Sequence, residues 1–155
     1  AISIALLPDG SLDESSQKML QEVGDWMCIN GEAVYASRAW VIPGEGELVN
    51  GKLKMLPGGN LSRRHAEFKF GNQDFRFTTG KNDALYAFCL TVPSPGSNLK
   101  IKSLGTEADY LSHPVKTVKL LGYDGKLEWQ QQADGLSITC PEAMPFETSV
   151  VFRIE

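Results

Sequence analysis

One amphipathic helix followed by a chain that is almost wholly strand-like is the feature that most constrains this fold. In the stretch 11–40, Ser11 and Glu14 stand three residues apart. That is the spacing of a capping box, whose hydroxyl and carboxylate satisfy the orphan amides of a helix start. At about 100° per residue from Leu12, the residues Met19, Leu20, Val23, Trp26 and Met27 share one stripe. Glu14, Gln17, Lys18, Gln21, Glu22 and Asp25 fall opposite. Asn30-Gly31 is the expected stop, because glycine accepts the left-handed conformation that closes a helix. Cys28 projects near the polar side, so it is either an exposed thiol or covered by a second layer. No later segment repeats the pattern, and the apolar stripe therefore needs a partner.

The rest of the chain alternates. Residues 2–7 read as a short apolar strand leading into the turn Pro8-Asp9-Gly10. After Tyr35 the period becomes two, with Trp40 and Ile42 on one face until Pro43-Gly44-Glu45-Gly46 breaks it. A weak strand is expected at 52–56, closed by Pro57-Gly58-Gly59-Asn60, then two half-buried ones carrying Ala66, Phe68 and Phe70, and Phe75 and Phe77. In 84–92 both faces are apolar, with Tyr86, Phe88, Leu90 and Val92 on one and Leu85, Ala87 and Cys89 on the other. An antiparallel strand of that kind is covered on both sides, so it should be central, with the opening helix as the candidate second layer. Further strands are expected at 99–104, 115–121, 127–131, 136–140 and 149–154. The fold class is mainly β: an antiparallel β-sandwich of about eight strands preceded by one amphipathic α-helix.

Composition narrows the functional classes. A chain of 155 residues, 42% hydrophobic and 22% charged, fits one globular domain. A net charge of -4 argues against a nucleic-acid surface, and Arg63-Arg64-His65 reads as a solvated loop. No apolar run approaches the ~20 residues of a membrane helix, so no membrane partner is expected. The absence of methionine at Ala1, just before an apolar strand, suggests a cut piece or a processed chain. Cys28, Cys89 and Cys140 are too widely spaced for a disulfide framework or a metal pair. Isolated buried thiols or one bridge between Cys89 and Cys140 are the alternatives. His65 and His113 stand alone, no glycine-rich phosphate loop is present, and neither metal nor cofactor is expected. Glu45 and Glu47 are the nearest carboxylate pair, but their glycine-rich setting reads as solvated. Among the aromatic residues, Trp26 and Trp129 lie on core-facing stripes. Trp40 and Tyr123 are less constrained and are the candidate carbohydrate-binding platform.

Asp9-Gly10-Ser11-Leu12, Gly24-Asp25-Trp26, Asn30-Gly31-Glu32-Ala33-Val34-Tyr35, Arg38-Ala39-Trp40 and Gly44-Glu45-Gly46 together resemble the end of the catalytic barrel of α-L-fucosidases. Phe75-Arg76-Phe77-Thr78-Thr79, Leu85-Tyr86-Ala87 and Ala133-Asp134-Gly135-Leu136 are similar to the C-terminal β-sandwich of the same family. The resemblance implies that residues 1–36 are the terminal strand and helix of a (β/α) barrel, and 37–155 a sandwich domain. It implies that the partner is the catalytic barrel of the same parent chain, met through Met19, Val23, Trp26 and Met27. The parent would be a retaining hydrolase of terminal α-L-fucosyl linkages, periplasmic or secreted. Its catalytic carboxylates would lie on strands preceding Ile2, so this chain would carry no catalytic residue and meet fucosylated glycans only through the parent. Two readings of other classes stand beside it: a carbohydrate-binding module, and a protein-interaction domain without sugar chemistry. In a chain without the barrel, the same stripe would favour a homodimer through the helix.

Overall fold

The computed structural model describes residues 4–46 and 70–155. Among them are helix α1 (Glu14–Asn30) and eight strands: β1 (Arg38–Glu45), β2 (Phe75–Thr79), β3 (Leu85–Cys89), β4 (Asn98–Ile101), β5 (Val118–Leu120), β6 (Trp129–Gln132), β7 (Gly135–Thr139) and β8 (Val150–Ile154). All pairings are antiparallel. They build a five-stranded sheet in the order β1-β2-β3-β8-β5 and a three-stranded sheet in the order β4-β7-β6.

The sandwich core lies between the two sheets. Alternation places Phe75, Phe77, Leu85, Ala87, Val150 and Phe152 of the larger sheet against Leu99, Ile101, Leu136 and Ile138 of the smaller one, all buried. Each such side chain contributes roughly 1.5–3 kcal/mol by leaving water. Cys89 and Cys140 are buried in this core as free thiols, and Cys28 is exposed. β3 is flanked by β2 and β8, as its two apolar faces require. Its second face turns Tyr86 and Phe88 outward to meet Val151, Ala33, Ala84 and Trp26, so the helix end does form the covering layer.

Several local expectations are corrected. The helix does not start at a Ser11 capping box. Its N-cap is Asp13, whose Oδ1 accepts the Ser16 amide at 3.0 Å and whose Oδ2 accepts the Ser16 hydroxyl at 2.6 Å. A carboxylate offers two charged acceptors to the helix start, which a serine hydroxyl cannot match. Ser11 instead donates its amide and hydroxyl to Asp9. At the other end Gly31 is right-handed, with φ -59°, and the chain continues as a 3-10 turn, Gly31–Ala33. A Cβ there would stand 2.9 Å from the exposed Tyr35 ring, which would have to swing aside. The left-handed residue is Ala36, with φ 54°. Residues 4–7 form no strand, since none of the described strands pairs with them, and Leu6 and Leu7 are exposed. The strands expected at 52–56 and around Ala66 and Phe68 lie outside the described residues, as do Arg63, Arg64, His65 and Glu47; Phe70 is described, exposed and not in a strand.

Candidate functional site

The junction between α1 and the larger sheet is built by the segment Trp26-to-Ala33. The Trp26 ring stacks on Phe88 with centroids 6.3 Å apart and planes inclined by 30°. Its indole N–H donates to the Ser149 carbonyl at 3.1 Å. One turn later Asn30 is fully buried, and its amide nitrogen donates to the Trp26 carbonyl at 3.0 Å. Its Oδ1 has no hydrogen-bond partner among the described residues. The Thr78 hydroxyl of β2 donates to the Ala33 carbonyl at 2.8 Å. Glu32 pairs with Arg153 of β8 at 3.5 Å, and Arg153 also grips Glu155. The hydrogen bond to Glu155 is the main cause that raises the Arg153 guanidinium above its ordinary pKa. Tyr86 lies beneath this group; burial, and then the charge of Glu32, push its phenol up. Gly80 is required here, because a Cβ would meet the Tyr86 ring at 2.7 Å.

These contacts divide the apolar stripe that the helical period placed on one surface. Trp26, read as an interface residue, faces the sandwich of its own chain, and Met27 is half-buried beside it. Met19, Leu20 and Val23 remain exposed at 42%, 38% and 37%. These three apolar side chains lie on one face of the helix and are exposed to solvent. The helix is thus fixed at its C-terminal end and presents a bare apolar face along the rest.

The other candidates are dispersed. Trp40 is half-buried on β1, edge-to-face with Phe77 at 5.2 Å and with Tyr110 at 6.1 Å. Tyr123 follows β5 and packs on the core, with its ring against Gly125. Since β1 and β5 are opposite edges of one sheet, the two residues form no common platform. Tyr110, 46% exposed beside Trp40, escaped sequence reasoning because it sits in an irregular segment without periodicity. Glu45 is committed to structure: its two oxygens accept the amides of Lys102 and Ser103 at 2.8 and 2.7 Å, tying β1 to the turn after β4. His113 is exposed, with Nδ1 3.4 Å from the Pro114 carbonyl. Among the described residues no three His, Cys, Asp or Glu side chains gather where a metal could sit, and no helix is long and apolar enough to cross a membrane.

A family model described as the alpha-L-fucosidase C-terminal domain matches residues 70–155, more than half of the chain. The chain belongs to this family. Similarity to tissue alpha-L-fucosidase of Mus musculus extends over the helix as well, at 28% identity across 97% of the chain and 26% of the relative. The human tissue alpha-L-fucosidase is also 28% identical, over 93% of the chain and 24% of its own length. The chain therefore spans about a quarter of the curated fucosidases it matches. In fold it is similar to the alpha-fucosidase of Thermotoga maritima, with TM-score 0.65 and 17% identity over 99% of this chain and 29% of that one. These likenesses agree with the sandwich and its preceding helix as the C-terminal region of a fucosidase.

Proposed function

We propose that this chain is the non-catalytic C-terminal region of an α-L-fucosidase. It braces a catalytic barrel of the same parent chain, which hydrolyses terminal α-L-fucosyl linkages. Residues 1–36 belong with the barrel and residues 37–155 form the buttress. The observation that carries this reading is the divided helix, clamped to the sandwich through Trp26, Asn30 and Glu32 while Met19, Leu20 and Val23 stay bare. A helix held this way transmits the position of the sandwich to whatever covers its free face. Retaining hydrolysis requires two carboxyl groups about 5–5.5 Å apart across the scissile bond. Glu45, one member of the nearest carboxylate pair in sequence, is occupied by backbone amides, so the acid and nucleophile are assigned to the barrel. Assay of the 155-residue chain with nitrophenyl α-L-fucoside tests the reading. No turnover is expected from the chain, and turnover is expected from the parent. Hydrolysis by the chain alone overturns the proposal.

A further inference from the structure

We propose that the catalytic barrel of the parent chain covers more than the helix. Its docking surface runs from α1 over the turn Val34-Tyr35 to Val41 of β1, and the barrel brings a carboxylate to Arg76 of β2. The inference rests on the reading of the chain as the C-terminal region of a fucosidase, and deepens it by giving the partner's surface its chemistry. Among the described residues eleven large apolar side chains stand exposed, and nine of them lie between Leu6 and Val41. The span matched by the C-terminal domain family, 70–155, contributes Phe70 and Tyr110 alone. A single exposed apolar residue is ordinary on a soluble protein; their gathering in one part of the chain is the signal of a contact surface. Since the chain spans about a quarter of the fucosidases it matches, a parent of that length holds a domain large enough to cover this face.

The geometry joins these positions. The Tyr35 ring, 68% exposed, lies against the last turn of α1: a Cβ on Gly31 would stand 2.9 Å from that ring and 4.0 Å from the Met27 terminal methyl. The helix stripe thus continues through Met27 onto Tyr35. The backbone beside it is strained. Ala36 is left-handed at φ 54°, and Asp83, which pairs with Arg38 at 2.7 Å, is left-handed at φ 57°. Non-glycine residues persist in that region only where their surroundings fix them, and such positions cluster at binding sites. On β1, Trp40 and Ile42 pack on the core, so alternation turns Val41 to the opposite face. That is the face on which α1 sits, since Thr78 of β2 donates to the Ala33 carbonyl and Phe88 of β3 stacks on Trp26. The register sets Arg76 on the same face, between Gly44 and Phe88. Arg76 is half-buried and donates to the Phe75 carbonyl at 2.8 Å, and no carboxylate among the described residues pairs with it. A guanidinium offers five N–H donors in a fork that fits a carboxylate. A partner that covers Arg76 has to answer its charge, because a buried unpaired cation is strongly unfavourable, and a carboxylate does so with charge-assisted hydrogen bonds.

Hydroxyl-radical footprinting of the parent enzyme beside the 155-residue chain tests the inference, with fucoside hydrolysis by the parent as the check on the reading beneath it. Tyr35 and Val41 are expected to be oxidised in the chain and to lose most of that labelling in the parent, while Tyr110 is labelled equally in both. In the parent, Arg76→Glu should restore the labelling of Tyr35 and Val41 by setting like charges against each other, and Arg76→Lys should not. Neither variant should move the melting temperature of the 155-residue chain. Equal labelling of Tyr35 and Val41 in both proteins overturns the inference, even where Met19, Leu20 and Val23 are protected and the helix contact stands. So does protection that survives Arg76→Glu, or a fall in the chain's own melting temperature with that variant, which would show that the arginine serves the sandwich itself. Protection that appears in the chain alone and rises with its concentration assigns the face to a second copy and is equally fatal. Those results leave the fucosidase reading intact, whereas a parent without fucoside turnover overturns that reading and the inference with it.

Discussion

Trp26 shows how a residue on a helical stripe finds its partners far along the chain. Its place on the helical stripe is set by periodicity, but the stacking on Phe88 and the bond to Ser149 are made with residues far along the chain. Replacing it with alanine removes both, and because the ring is half-buried the cost should be about 3 kcal/mol, the lower end for a tryptophan truncation. Trp26→Phe should keep the ring contact and lose about 1 kcal/mol for the hydrogen bond. Urea denaturation of the two variants against the parent sequence measures both. Asp13 gives a second residue-scale expectation. Hydrogen bonds from Ser16, and then from Ser15, hold its carboxyl far below the ordinary 3.8. A carboxyl lowered in the folded state stabilises fully above its unfolded pKa, and that stabilisation fades as pH falls through the folded one. Helix content followed by far-UV circular dichroism should therefore decline as pH drops below about 4, and Asp13→Asn should flatten that decline.

At the scale of elements, α1 was legible from sequence in existence, length and apolar face. Its stop at Asn30-Gly31 was read correctly, although the glycine is right-handed, but its start was misread, because the Ser11 capping box is a local signature and the competing acceptor Asp13 was equally local but decided by geometry. The central position of β3 was also readable, since two apolar faces need two covering layers. The division of the stripe was not, because it depends on which turn of the helix reaches the sheet. It has a direct consequence for the free face. Val23→Asp should change the stability of the chain by no more than about 0.5 kcal/mol, as for other exposed positions. The same substitution should abolish any self-association of the chain through the helix, read by sedimentation velocity across a concentration series. A loss of several kcal/mol on unfolding would instead mean that Val23 is already covered.

For the whole molecule, burial controls cysteine chemistry. Desolvation pushes the thiols of Cys89 and Cys140 above their ordinary pKa, which lowers their thiolate fraction at neutral pH. A thiol-disulfide exchange reagent should find one fast thiol, Cys28, in the native chain and all three after denaturation. Alternation alone determined that this is a strand-rich sandwich behind one amphipathic helix, and the spacing of the cysteines left a bridge between Cys89 and Cys140 as an open alternative to free thiols. Those are properties of local period, which a sequence states directly. The tertiary structure decided that Trp26 belongs to the sandwich and Val23 to the open face, that Trp40 and Tyr123 stand at opposite edges, and that Glu45 ties two sheets together rather than standing free in solvent. The physical reason is that each of these depends on strand order and on contacts between residues distant in the chain, and periodicity assigns a side chain to a face without saying what lies across from it.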